Sequence, residues 1–184
     1  MRLTKIYTKQ GDNGTTGLAS GERIKKSSHL ICCIGTTDHC NSVLGWARCQ
    51  LPAVLQQHTQ AIQNWLFDIG GELALPDYVA INADHVSQIE AWIDEMNPSL
   101  KPLKEFILPG GSEAAARVQI FRSEIRRLER ELVALQEQEQ TVNSVTLQLV
   151  NRLSDWAFVA ARFCNLQEQV EEPYWQHSVP KPNN

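Results

Sequence analysis

Two runs of cations and one glycine-threonine run carry most of the chemistry available to this chain of 184 residues. Arg23, Lys25 and Lys26 form the first run; Arg117, Arg122, Arg126, Arg127 and Arg130 form the second. Together they hold eight of 17 basic residues in a chain with 21 acidic ones and a net charge of −4. Positive charge gathered in this way suits a compact anion such as a nucleotide phosphate tail. A solvated helix face produces the same spacing, so spacing alone leaves both readings open. The third run is Thr8-Lys9-Gln10-Gly11-Asp12-Asn13-Gly14-Thr15-Thr16-Gly17. Its glycines permit turns that aim several N–H groups inward, and its threonines add hydroxyl donors. No Gly-Lys-Ser/Thr follows the glycines, so it is not a Walker A loop. A flexible glycine-rich arm fits the segment equally well.

Several other chemistries lack their parts. No Glu-x-x-His pair supports a di-iron bundle, no Gly-x-Gly-x-x-Gly follows a strand, and no nucleophile-elbow pattern supports a hydrolytic triad. The five cysteines, at 32, 33, 40, 49 and 164, form no C-x-x-C. They read as reduced thiols, most of them small buried hydrophobes, and no metal ligand is assigned. The acidic balance disfavours nucleic acid as a partner. The most apolar stretch, Trp156 to Cys164, contains Arg162 and falls well short of the ~20 residues a membrane span needs. The first residues show no apolar signal region. The chain is therefore expected to be cytoplasmic. With 42% hydrophobic and 21% charged residues it reads as globular.

The elements that must position these groups are helical. Residues 1–28 hold four of the 10 glycines and show no helical period, although Lys5-Ile6-Tyr7-Thr8 could be a short extended piece. Helical spacing starts at about His29 and ends before Pro52. A second helix covers about Ala53 to Leu75, with Ile62, Trp65, Leu66, Ile69 and Leu73 on one face and Pro76 as its stop. A third spans about Asp84 to Met96. Pro109-Gly110-Gly111 marks a turn, and Ser112 is the N-cap of a fourth helix over about 113–138. Gln136 to Gln140 is a polar connection to a fifth helix, about Val142 to Leu166. No strand-like alternation of any length is present. The expected architecture is an all-α five-helix bundle in a single domain. Residues 1–28 form its arm, 29–167 its bundle and 168–184 a tail loose at its end.

Placing residues at 100° intervals puts Arg122 and Glu129 about 40–60° from Ile125, at the border of the buried face. Arg126 and Arg130 lie further round. A charge at that border is costly unless it is paired or meets a ligand. Pairing within the ridge would be worth a few tenths of a kcal/mol. The fifth helix is apolar nearly all round except for Asn151, Asp155 and Arg162, which calls for a central position or an oligomer interface.

Taken together, the motifs resemble the PduO-type ATP:corrinoid (cobalamin) adenosyltransferases. The likeness rests on Thr8 through Leu18, Gly21-Glu22-Arg23 with Lys26, and Gly35-Thr36-Thr37-Asp38 with Asn41. It continues through Leu66-Phe67-Asp68-Ile69-Gly70-Gly71-Glu72-Leu73-Ala74 and Phe106-Ile107-Leu108-Pro109-Gly110-Gly111-Ser112. It ends on Arg122 with Arg126-Arg127-Leu128-Glu129-Arg130 and on Asn151-Arg152-Leu153-Ser154-Asp155. These run in family order over about residues 4–165.

The resemblance implies a homotrimer with active sites between subunits. It implies ATP bound through Thr8, Lys9, Gln10, Gly11, Thr16, Gly17, Lys26, Arg126, Arg127, Leu128, Glu129, Arg130 and Asn151. The corresponding reaction moves the 5′-deoxyadenosyl group of ATP to the cobalt of cob(I)alamin, and triphosphate leaves with Mg²⁺. Asp38 would pair with Arg122 across the interface, Phe106 would help displace the corrinoid's lower axial base, and Arg126 would stabilise the departing charge. A reductase would supply electrons. The chain departs from the family where Asp38-His39-Cys40-Asn41 replaces Asp-Glu-Leu-Asn. Gln119 replaces a common histidine, and Ile125 a frequent cysteine. The changes at His39 and Cys40 motivate an alternative, a non-catalytic ATP and corrinoid carrier or regulatory paralogue.

Overall fold

The computed structural model describes residues 7–75, 77–138 and 142–178. Five helices dominate: α1 His29–Arg48, α2 Ala53–Ala74, α3 Ala83–Met96, α4 Glu113–Glu137 and α5 Ser144–Gln167. These match the helices expected from apolar spacing to within a few residues at each end. Residues 5 and 6 of the expected extended piece, the Pro76 stop, residues 139–141 of the polar connection and the tail end from residue 179 lie outside the described residues.

Local chemistry explains the boundaries. The Ser28 hydroxyl accepts from the Ile31 amide at the start of α1. Asn82 caps α3, Ser112 accepts from Ala115 at the start of α4, and Asn143 accepts from Val145 at the start of α5. Each side-chain oxygen satisfies one of the amides that a helix start leaves without an intrahelical partner.

Packing runs α2 on α1, α1 on α4, α4 on α5 and α5 on α3. The α4 stripe of Val118, Phe121, Ile125, Leu128, Leu132 and Leu135 is buried against α1 and α5. α5 buries 13 of its residues, as a helix covered on several sides requires. An aromatic stack links α2 to α3: His58 lies 4.2 Å from Trp92, and Trp65 lies 5.3 Å from the same ring. Trp156 of α5 meets both His58 and Phe121 edge-on. Burial pushes the thiols of Cys40 and Cys164 up to about 12 and that of Cys33 up to about 11. These three are packing groups at neutral pH. Cys32 and Cys49 are exposed.

One expectation is corrected. The arm contains a short antiparallel hairpin, β1 Thr15–Gly17 with β2 Arg23–Lys25, in the register Thr16 opposite Ile24. Three-residue strands are too short to show a period of two, so the signal lay only in the turn. There Gly21 adopts φ +88 and its amide donates to Leu18. No helix among the described residues is long and apolar enough to cross a membrane.

His58 is 7% exposed, and among the described residues its Nδ1 has no hydrogen-bond partner. Burial lowers its pKa below 6.5, with Glu95 pulling the other way. The unfolded chain therefore takes up a proton before the folded one as pH falls, and stability declines from about pH 6.5 downward. Urea unfolding at several pH values should show this decline in the parent and a flatter profile in His58→Phe.

Candidate functional site

The arm folds back over the start of the bundle. Arg23 holds it: Nη2 donates to the Gln10 carbonyl at 2.6 Å and to the Thr15 hydroxyl at 2.8 Å. This arginine is thus committed to the arm's own oxygens rather than left for an anion. Lys26 closes onto the glycine turn, where a Cβ added at Gly11 would meet its Nζ at 3.0 Å. Among the described residues, the amides of Gln10, Gly11, Asp12 and Asn13 donate to no other group of the chain. Lys9 adopts φ 59 at the entry to the turn, and Thr8, Lys9 and Gln10 are exposed. The hairpin carries Thr16 and Gly17 beside them.

A cavity of about 580 Å³ opens beneath this arm. Thr16 and Lys26 line one side, Asp38 and Asn41 of α1 another, and Phe67, Gly70 and Gly71 of α2 the third. A Cβ at Gly70 would meet nothing within 4 Å, whereas one at Gly71 would lie 2.9 Å from the Tyr78 ring, so Gly71 makes room for that ring. Phe67 is 70% exposed, an aromatic ring on the wet side of an amphipathic helix. In the sequence it stands within the Leu66–Ala74 motif. Its position off the Ile62–Leu66–Ile69 stripe was the signal that it faces something else.

A second cavity, of about 410 Å³, is lined by Phe106, Ile107 and Pro109 of the loop, Gln119, Arg122 and Arg126 of α4, and Asp155 of α5. It shares no residue with the first. Arg122 is half-buried, and its Nε donates to Gln119 Oε1 at 2.7 Å. Gln119 is itself buried, so the residue that departs from the family pattern orients the arginine. Burial, and then the neighbouring Arg126 charge, lower the Arg122 pKa. Two guanidinium groups side by side without a carboxylate partner form a receptor for an anion.

The pattern of ion pairs separates the cations into two kinds. Arg127 pairs with Glu131 at 2.9 Å, Arg152 with Glu90 at 2.8 Å and Arg162 with Glu172 at 3.0 Å. Arg117 pairs with Glu113 and lies over the Trp46 ring. Among the described residues, Lys26, Arg122 and Arg126 pair with no carboxylate, and Asp38 pairs with no cation. The self-paired ridge therefore describes Arg127, and Arg122 and Arg126 stand apart from it.

The structure does not bring the whole expected set to one place within a chain. Arg127 and Arg130 line a third cavity with His29, Cys32 and Glu131. Leu128 is fully buried in the core. Glu129 accepts from Asn151 Nδ2 at 2.8 Å, and Asn151 Oδ1 accepts from Arg152 at 2.9 Å, so both ends of that amide are engaged. Asp38 and Arg122 belong to different cavities. His39 and Cys40 line neither of these. His39 is largely exposed and 3.8 Å from Glu124, and Cys40 is core.

A helical bundle with an open glycine arm and, on a separate face, two guanidinium groups without a carboxylate partner among the described residues has the donors suited to a polyanionic ligand. The particular family follows from comparison. The pattern described as cobalamin adenosyltransferase matches residues 6–164, and the chain belongs to that family. It is 44% identical over 177 residues to a protein named cobalamin adenosyltransferase from Cupriavidus metallidurans, covering 95% of this chain and 96% of the relative. It is 39% identical over 184 residues to the corrinoid adenosyltransferase of Bacillus subtilis, covering 95% and 94%. Among solved structures it resembles a variant PduO-type ATP:corrinoid adenosyltransferase from Lactobacillus reuteri complexed with cobalamin and ATP. The TM-score is 0.90 at 32% identity, covering 95% of this chain and 98% of that one.

The loop bearing Phe106 is held by a tight approach at its end. Gly111 has φ +103, and a Cβ there would lie 2.3 Å from Asn165 Oδ1, which accepts from the Ser112 amide at 2.8 Å. Gly111→Ala should lower stability by more than about 1 kcal/mol, through both the φ and the clash. Thermal or denaturant unfolding measures it.

Proposed function

We propose that the chain transfers the 5′-deoxyadenosyl group of ATP to the cobalt of cob(I)alamin, releasing triphosphate and forming adenosylcobalamin. The observation that carries this reading is the set of unmatched charges: Lys26 beside open arm amides in one half-site, Arg122 and Arg126 in the other. Complementary half-sites on one chain are completed by a second copy. In a homotrimer, the arm and α1 of one subunit face α4 of the next, and Asp38 meets Arg122 across that seam. ATP then lies between Thr8–Gly11, Thr16, Gly17 and Lys26 on one side and Arg126 on the other. Arg127, Glu129, Arg130 and Asn151 extend the second wall, and Leu128 holds their helix against the core.

In the reaction, an electron pair on the substrate's cobalt(I) forms the Co–C5′ bond as the C5′–O bond breaks and the pair leaves with triphosphate. The attacking centre comes with the substrate, so the protein needs no nucleophile or general base. Its tasks are to align C5′ with cobalt, to exclude water, and to hold the departing negative charge. Lys26, Arg126 and the arm amides are suited to the last of these. Among the described residues no group of three His, Cys, Asp or Glu could cage a metal ion. Magnesium entering with the nucleotide would be held chiefly by its phosphates.

Phe106 is 73% exposed at the rim of the arginine cavity. An apolar ring beside the corrinoid's lower face excludes the axial base without donating to the metal. That lowers the orbital which accepts the electron from a partner reductase, and cobalt(II) becomes easier to reduce. The working compartment is the cytoplasm.

Folded trimer incubated with ATP and chemically reduced cobalamin should yield triphosphate and the absorption of adenosylcobalamin. ATP and corrinoid binding without product would instead favour a carrier. Arg126→Ala should cut turnover about a hundredfold or more, the scale of losing one electrostatic stabiliser. Phe106→Ala should slow the assay started from cob(II)alamin far more than the assay started from cob(I)alamin, and equal losses would remove its assigned role.

A further inference from the structure

The segment after α5 does more than trail away. Arg162, 6% exposed on α5, pairs with Glu172 at 3.0 Å and donates to the Lys101 carbonyl at 2.8 Å. This buried pair pins the root of the C-terminal segment beside the chain that leads to Phe106. Beyond it the two segments run antiparallel. Leu108 N donates to the Pro173 carbonyl at 2.9 Å, Ile107 bridges Tyr174, and Trp175 N donates to the Phe106 carbonyl at 2.7 Å. The side chains then meet. The Trp175 ring lies 6.3 Å from the Phe106 ring at 53°, and His177 lies 3.9 Å from the Trp175 ring. His177 Nε2 is 3.0 Å from the Glu105 carboxylate, which also accepts from the Phe106 amide at 3.1 Å.

Phe106 has little else to fix its ring. It projects from a loop and is 73% exposed, while Trp175 remains 44% exposed. An exposed phenylalanine on a loop samples several rotamers unless a neighbour limits them. The Trp175 face and the backbone ladder supply that limit, on the edge of the cavity that holds Arg122 and Arg126.

We propose that Trp175 is a positioning residue for the corrinoid step: the C-terminal segment at 173–175 holds the Phe106 ring in the orientation that excludes the axial base. The inference rests on the role given to Phe106 above. It predicts a defect confined to the cobalt(II) stage. Cob(I)alamin is already without an axial base, so its reaction with ATP does not need the ring.

The test compares Trp175→Ala, Trp175→Phe and Phe106→Ala in the full chain with ATP bound. Two assays start from cob(II)alamin and from cob(I)alamin. Electron paramagnetic resonance of bound cob(II)alamin reports the axial nitrogen, through the splitting it imposes on the cobalt lines. Trp175→Ala should retain that splitting in a larger fraction of bound corrinoid and slow the cobalt(II) assay about tenfold to a hundredfold, the scale of a misplaced group. It should leave the cobalt(I) assay and the melting temperature near the parent. Trp175→Phe, which keeps a flat apolar ring, should restore most of the loss. Equal slowing of both assays, or no slowing of either, would overturn the proposal. If Phe106→Ala itself fails to separate the two assays, the role assigned to Phe106 falls. If Phe106→Ala separates them and Trp175→Ala does not, only the positioning role falls.

Discussion

Unmatched charge governs this molecule. Arg117, Arg127, Arg152 and Arg162 each have a carboxylate within 4 Å and are neutralised locally. Arg122 and Arg126 do not, although Arg122 is half-buried and pressed against a like charge. Holding two cations together at the edge of a core is unfavourable unless something negative arrives. Asp38, exposed on α1 and lining the cavity beneath the arm, pairs with no cation among the described residues.

The rest of the fold keeps those charges in place. α4 is fixed by a continuous apolar stripe against α1 and α5, so the guanidinium groups project from a rigid rod rather than a loop. The arm is tied by Arg23 to its own carbonyl and hydroxyl oxygens and by the small hairpin. Glu72 plays a comparable part at the far end of α2. Its carboxylate accepts from Ala80 and Ile81 amides, from Asn143 and from Thr146 at 2.5 Å, joining the start of α5 to the loop before α3. That network is architectural.

The chemistry explains what the chain lacks. When the substrate's own cobalt is the nucleophile, a catalytic dyad would serve no purpose. The buried thiols of Cys40 and Cys164, pushed up to about 12, stay protonated at neutral pH and serve only packing. Orientation and charge stabilisation remain, and both belong to fixed helices and to a loop braced at each end. Gly111 against Asn165 braces one end, and the C-terminal segment the other.

The amino-acid sequence by itself determined the helices, because apolar residues recurring every three to four positions leave few other ways to bury them. Ile125 and Leu132 in α4, or Leu149 and Leu153 in α5, could be assigned to the core from spacing alone. It also determined that Arg122 lies at the core border, a matter of angle on one helix. It could not show that Arg127 is neutralised by Glu131 while Arg126 is not, or that Arg23 folds onto the arm. The glycine-rich arm has no period to read, and an ion pair depends on rotamers and on which carboxylate lies in reach. The docking of Trp175 on Phe106 was equally hidden. It joins residues almost seventy positions apart through main-chain hydrogen bonds, which carry no side-chain signature. Tertiary structure alone decided these, because distance in space between groups distant in sequence is set by how the whole bundle packs.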